Sequence, residues 1–309
     1  MATARVIKKR IRSTKNIKQI TKAMEAVAAV KMRRSEEVAL HARPFAYAAL
    51  EILKNITARG GEETLRSPLM EKRQEKKILL VVVTSDKGLA GSFNTNILRA
   101  SDAFLSLCTV PSDIVAVGKR GRDYYLRRGR NIAHEFLGSG DLVHPSETKP
   151  ISLFLKEKFT SGGYDNVVIV YTNFISALKQ KVVTRQLLPF TRETLEKIVA
   201  GLTPLQGKYS NGHLEARLPS QEVDYLFEPS PAQVLKELMP TLLDIEVYHA
   251  VVEANASEHS SRMVAMKNAS ENAGELIDSL TIQYNKSRQA QITRELTEIT
   301  AGTEALAQQ

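Results

Sequence analysis

The sequence predicts an α/β domain joined to a long antiparallel two-helix coiled coil. Three observations carry this expectation: a basic start free of glycine and proline, a stretch after Pro240 that holds a heptad register, and a middle in which short β-branched runs alternate with helical segments.

Between Ala2 and Arg43 the chain has no glycine or proline and is rich in Ala, Lys, Arg, Met, Glu and Gln, residues that lose little entropy in a helix. Forty-odd residues of helix would extend about 60 Å at 1.5 Å per residue. Ile7, Ile11, Ile17, Ile20, Met24, Val27 and Val30 recur three or four apart, except across Thr14, and form a narrow stripe suited to one partner helix.

After Pro240, only Gly274 and Gly302 interrupt a helical composition. Alternate steps of three and four give Leu242, Ile245, His249, Val252, Ala256, His259, Met263, Met266, Ser270, Ala273, Ile277, Leu280, Tyr284 and Ser287, a heptad seam with several small members. About 60–65 residues of helix here against roughly 40 at the start leave on the order of 20, or about 30 Å, unpaired at the C-terminal end.

In the middle, Ile78–Thr84, Asp113–Val117, Asn131–Phe136, Val167–Thr172 and Val182–Leu188 read as strands. Thr95–Leu107, Arg120–Arg128 and Ser146–Phe159 read as helices. Such alternation predicts a mainly parallel sheet with helices against its faces. Boundaries are expected near Gly60–Gly61 and at Pro229/Pro231, giving segments 1–60, 76–228 and 229–309. Ser139–Pro150 and Leu202–Pro219 read as loops.

With 309 residues, 43% apolar and 25% charged, the chain can bury a substantial core. The apolar runs Phe45–Leu50 and Ile78–Val83 fall far short of the roughly 20 residues that a membrane-spanning helix needs. A lone Cys108 makes no internal disulfide and fits inert core. The net charge of +9 is concentrated: residues 1–34 carry eleven basic side chains against Glu25, so the rest of the chain is −1. Residues 241–309 hold ten acids and five bases, so the two ends have opposite charge and attract.

Two alternatives compete with a purely mechanical reading. The stretch Thr84–Asn94 follows a strand and precedes a helix, where α/β proteins hold phosphates. Ser92 stands where a P-loop needs lysine, and only Gly88 and Gly91 are present of a dinucleotide fingerprint, which leaves a tight turn. A basic coiled-coil nucleic-acid-binding protein would need the basic region and the heptads in one helix, but here they lie at opposite ends. The six histidines are scattered, His249 and His259 reading as interface residues. Glu36–Glu37 and Glu62–Glu63 read as solvated face and loop. No catalytic, cofactor-binding or metal-binding residue is assigned.

Arg10–Met24 followed by Val27–Arg34, Glu253–Glu258, Arg262–Ala269 and Tyr284–Ile299 resemble the N- and C-terminal signatures of the gamma subunits of F-type ATP synthases, in the right order. Thr84–Asn94 resembles a further segment of that family. The resemblance implies a shaft formed by the two terminal helices, with a Rossmann-like α/β domain at its base. It implies partners as well: a hexameric ring of alpha and beta subunits, an epsilon subunit and a ring of membrane c subunits, with no nucleic acid. Rotation of the shaft would force the beta sites through different nucleotide affinities, while chemistry stays on beta. Carried over residue by residue, it places contacts with beta at Lys22, Met24, Arg288, Gln289, Thr293, Glu295 and Glu298.

The regulatory cysteine pair of photosynthetic-organelle relatives is missing, and the chain opens directly on the shaft motif. The expected location is the cytoplasmic face of a bacterial inner membrane, reached peripherally through the complex.

Overall fold

The computed structural model describes residues 4–59, 67–138, 140–191, 228 and 230–307, with backbone alone at 39–59, 231–232, 302 and 304–307. The expected Gly60–Gly61 boundary, Glu62–Glu63, Pro229, His213, the loop 202–219 and the side chain of His41 fall outside what is described. In order, the elements are α1 (Ala4–Arg59), β1 (Ile78–Val83), α2 (Phe93–Leu107), β2 (Ser112–Val117), α3 (Lys119–Arg127), β3 (Ile132–Phe136), α4 (Pro145–Thr160), β4 (Asn166–Ser176), β5 (Lys179–Leu188) and α5 (Pro231–Ala307). The chain divides into two compact units, Met1–Ala28 with Arg262–Gln309, and Ala29–Ser261. The start of α1 is thus grouped with the end of α5, an antiparallel pairing.

Both terminal helices are longer than the sequence predicts. Helix α1 has 56 residues and passes through Pro44, and α5 has 77 and passes through Pro240. An interior proline costs roughly 3 kcal/mol. Burial of Leu235, Met239, Leu242 and Leu243 around Pro240 offsets it, at roughly 1.5–3 kcal/mol per large apolar side chain.

In the unit Ala29–Ser261 the sheet runs β3-β2-β1-β4-β5, with β1 to β4 parallel and β5 antiparallel at one edge. Strands β1 and β2 sit between neighbours on both sides, and β1 is buried along its whole length, which explains its uninterrupted Ile-Leu-Leu-Val-Val-Val. All five strands and three helices expected from the middle of the sequence are present. The loop expected over Ser139–Pro150 is shorter, because α4 begins with Pro145 at its first turn, where a missing N–H costs nothing.

In the unit of Met1–Ala28 and Arg262–Gln309, the α5 seam follows the predicted register. Met266, Ser270, Ala273 and Leu280 are buried, and Ile277, Tyr284 and Ser287 half-buried. From Arg288 to Ala301, every residue is exposed, as a helix with no neighbour from this chain must be.

The stripe predicted on α1 holds at Ile7, Ile11 and Met24, which are buried or half-buried, and fails elsewhere: Ile17, Ile20 and Val27 are 50%, 59% and 54% exposed, and Val30, in the other unit, is 53% exposed. Thr14, Thr21 and Ala28 take the missing places on the inner face, in heptad register with Ile7 and Ile11. Thr14 tolerates burial because its hydroxyl donates to the Arg10 carbonyl at 3.0 Å. Small side chains win the seam because they let the helix axes approach. Gly274 lies beside Lys18: a Cβ there would be 3.1 Å from Lys18 Nζ, the end of an exposed side chain that can move aside.

Leu280→Ala should therefore destabilise the chain by about 2 kcal/mol, and Ile17→Ala by less than about 0.5 kcal/mol. Urea unfolding of the two variants would read the difference. Equal losses would restore the original α1 stripe.

Candidate functional site

Strand β4 pairs with β1 from Asn166 to Val170 and then runs on to Ser176, beyond the end of β1. A buried main chain must find hydrogen-bond partners. Side chains of α5 supply them. The Phe174 N–H donates to Glu253 Oε2 at 2.9 Å, and the Ser257 hydroxyl donates to the Thr172 carbonyl at 3.2 Å. The Ser260 hydroxyl donates to the Ala177 carbonyl at the hairpin turn, and Gln180 Nε2 donates back to Ser260 Oγ at 3.0 Å. Ser261 donates to Gln180 Oε1 at 2.8 Å. Positions 253, 257, 260 and 261 fall on one helical face, and Glu253, Ser257 and Ser260 are fully buried.

An ionic cluster lies one to two turns earlier on α5. Arg185 of β5 meets Glu246 at 3.2 Å, both nearly buried, and its guanidinium sits 5.9 Å from the Tyr171 ring centre. His249 Nε2 lies 3.3 Å from Glu253 Oε1 but is not aligned for a hydrogen bond. Burial raises the Glu246 carboxyl above its ordinary range, against the opposing pull of Arg185 and then His249. Desolvation also pushes the Tyr171 hydroxyl upward, and it stays protonated.

Further fastenings follow along α5. Lys149 and Ser152 of α4 hold Asp244, Tyr248 reaches the Val143 carbonyl, and His259 Nε2 lies 3.2 Å from the Asp141 carbonyl. The Asp141 carboxylate pairs with Lys31 of α1 at 2.7 Å and with Lys87 at 3.5 Å. The Lys31 hydrogen bond lowers its pKa, with burial opposing. Ser35 of α1 donates to Asn255 Oδ1 at 2.7 Å. Helix α5 is thereby pinned to α1, α4, β4, β5 and the loop before α4.

A cavity of about 430 Å³ opens at the carboxyl ends of β1 and β2, lined by Thr84, Asp86, Lys119, Asp141, Glu258 and His259 among others. Asp86 occupies the place where a phosphate would be held, accepting hydrogen bonds from the backbone N–H groups of Lys119, at the start of α3, and Gly138, at 2.8 and 2.9 Å. A carboxylate there repels an anion. The rest of Thr84–Asn94 closes on itself through Ser85 and Asn94. Gly118, at φ +92°, brings its backbone so close to Thr84 that a Cβ would lie 2.1 Å from the Thr84 carbonyl oxygen. The segment is a tight turn. Among the described residues, no three His, Cys, Asp or Glu side chains could hold a metal. Cys108 is half-buried, donates to the Phe104 carbonyl and has its thiol pKa pushed up by burial.

The seven residues carried over from the resemblance all fall in the unit of Met1–Ala28 and Arg262–Gln309. Lys22 is exposed and pairs within α1 with Glu25 at 3.1 Å, and Met24 is half-buried. Arg288, Gln289, Thr293, Glu295 and Glu298 are exposed on the unpartnered end of α5, where Thr293 bonds the Gln289 carbonyl and Glu295 accepts from Gln291. These form two groups, because Lys18 lies beside Gly274, which sets Lys22 roughly 25 Å or more along the helix from Arg288. Exposed Ile292, Leu296 and Ile299 accompany the second group.

The clamp residues Glu246, Glu253, Ser257 and Ser260 escaped sequence reasoning as a site. Their signal is a polar stripe on a helix whose other faces are also apolar or small, which a solvated surface would not show.

A family model described as ATP synthase matches residues 3–306. ATP synthase gamma chains of Pelotomaculum thermopropionicum and Desulforamulus reducens are 39% and 40% identical over 306 residues, covering 99% of this chain and 100% of each relative. Among solved structures, the central stalk and c ring of the Tetrahymena thermophila mitochondrial ATP synthase contains a chain with TM-score 0.57 at 26% identity, covering 81% of this chain and 99% of that one. A chain of the Euglena gracilis mitochondrial ATP synthase in rotational state 3 matches in fold, with TM-score 0.64 at 20% identity over 98% of this chain and 94% of that one. Two long terminal helices around a mixed α/β sheet, matched along nearly their whole length, define a central-stalk subunit without catalytic chemistry of its own. The chain belongs to the ATP synthase gamma chain family.

Replacing Arg185 with Met should cost about 3 kcal/mol at neutral pH, because Glu246 is left buried without its partner. A carboxyl whose folded pKa is raised keeps a proton that the unfolded chain has released, so stability falls as pH rises through the folded value. The deficit of Arg185→Met should accordingly shrink on moving from pH 7 to pH 5. Denaturant unfolding at both pH values tests it, and a deficit that grows toward pH 5 would contradict the assignment.

Proposed function

We propose that this chain is the rotating shaft of a proton-translocating ATP synthase at the cytoplasmic face of a bacterial inner membrane. It engages a hexameric ring of alpha and beta subunits through its helices, and an epsilon subunit and the c ring through its α/β segment. Within it, residues 1–60 and 229–309 serve as the shaft and 76–228 as the foot. Rotation presents different surfaces to three equivalent beta subunits and so shifts each among its nucleotide-affinity states. The carrying observation is the match to gamma chains over 99% of this sequence. Among the described residues, no helix is long and apolar enough to cross a membrane, which fits attachment through partners.

Contacts with beta are assigned to Lys22, Met24, Arg288, Gln289, Thr293, Glu295 and Glu298. Six of the seven side chains are exposed, and the exposed aliphatic residues beside the second group give a partner apolar surface to cover. Exposed ion pairs contribute roughly 0–1 kcal/mol each, so these contacts tune coupling without holding the complex together.

Co-purification of the tagged chain should recover alpha and beta subunits with ATPase activity. Recovery of nucleic acid, or of the chain alone, would refute the assignment. Lys22→Glu and Glu298→Lys should each lower proton-driven ATP synthesis by about twofold to fivefold while leaving subunit recovery unchanged. Normal synthesis rates in both reversals would remove these residues from the contact.

A further inference from the structure

Past Val170, β4 has β5 as its sheet neighbour and, among the described residues, no strand in the place of β1. Helix α5 fills that place at two points. Glu253 and Ser257, one turn apart, take the adjacent Phe174 N–H and Thr172 carbonyl; Ser260 takes the Ala177 carbonyl, with Gln180 and Ser261 closing the ring. We infer that this side-chain ladder is the joint through which the α/β sheet turns helix α5, with Glu253, Ser257 and Ser260 as positioning residues for rotary coupling. The inference rests on the central-stalk reading and specifies its torque path.

A torque about a helix loads its contacts tangentially. Apolar packing is non-directional and opposes sliding only through side-chain shape, whereas hydrogen bonds weaken steeply when bent and so resist it. The ladder's acceptors and donors on β4 are main-chain atoms, which move only if the strand moves. That strand is held in turn by its pairing with β5 from Val167 to Ser176. All three α5 side chains are completely buried, so water cannot replace a bond that breaks under load. The Lys31–Asp141 and Lys149–Asp244 pairs differ in this respect, because Lys31, Lys149 and Asp141 keep substantial solvent exposure, whereas the buried Arg185–Glu246 pair reinforces the ladder.

The test uses the intact complex in proteoliposomes, with ATP-driven proton pumping measured per ATP hydrolysed. Glu253→Ala and the double variant Ser257→Ala/Ser260→Ala should assemble and hydrolyse ATP but pump about threefold less per ATP, while Glu253→Gln, which keeps an acceptor oxygen, stays near wild type. Hydrogen exchange of the peptide containing Phe174 should accelerate roughly tenfold in Glu253→Ala, with β1 and β2 unchanged. Wild-type pumping per ATP in the assembled double variant overturns the joint. If Glu253→Ala does not assemble, the double variant against Glu253→Gln decides in the same way. Failure of the central-stalk reading is separate, since the unmutated chain would then recruit no alpha or beta subunits.

Discussion

Strand β4 is longer than its parallel neighbour, and its extension is buried at Tyr171, Thr172 and Phe174. That single mismatch constrains much of the larger unit. Unpaired N–H and C=O groups in a core cost on the order of 1–3 kcal/mol each, so something other than a strand has to satisfy them. Helix α5 does so with one carboxylate and two hydroxyls, which requires it to lie close against the sheet with Glu253, Ser257 and Ser260 facing inward. Close approach then demands small residues nearby, and Ala250, Ala254 and Ala256 are all buried. Polar neighbours gather round Glu253 as well: His249 lies beside it, and Arg185 and Glu246 pair one to two turns earlier on α5. Replacing such a cluster with apolar residues need not reduce stability, so its presence is better explained by the position it fixes than by the energy it adds.

What the sequence revealed depended on whether a residue's type matched its surroundings. The strands were legible because β1, β2 and β4 are largely buried and therefore carry apolar, β-branched runs, Ile-Leu-Leu-Val-Val-Val in β1, Ile-Val-Ala-Val in β2 and Val-Val-Ile-Val-Tyr in β4. The α5 register was legible because all fourteen heptad positions are buried or half-buried. On α1, pattern and environment part company. Ile17, Ile20 and Val27 look like a core stripe but face outward, whereas Thr14 and Thr21, polar by type, belong to the inner face. Apolar periodicity reports that a face will be covered without saying by what. The strict heptad through Ile7, Ile11, Thr14, Thr21 and Ala28 was present in the letters, but small and hydroxylated residues carry little weight in a hydrophobicity argument. The clamp was hidden for the same reason: acids and serines on a helix read as solvated until the strand that they complete is in place.

The helix ends, opposite in charge, can be judged on this basis. From sequence, +10 on residues 1–34 and an acidic C-terminal stretch imply mutual attraction. In the structure, two of those acids, Glu246 and Glu253, are committed to the sheet clamp, and Lys22 pairs with Glu25 within α1. The seam is instead lined by Ile7, Thr14, Ala28, Ser270, Ala273 and Leu280, with Gly274 beside Lys18. Long-range attraction between exposed charges is also screened beyond roughly 8–10 Å at ordinary ionic strength. Close packing of small residues therefore accounts for the pairing better than charge does. Most of the basic side chains of α1 remain on its outer surface beside Ile17, Ile20 and Val27, a mixed apolar and cationic face that the chain itself leaves uncovered. A shaft built this way keeps its strongest lateral features for whatever surrounds it. Its two helices carry different faces, so the shaft is asymmetric about its own axis.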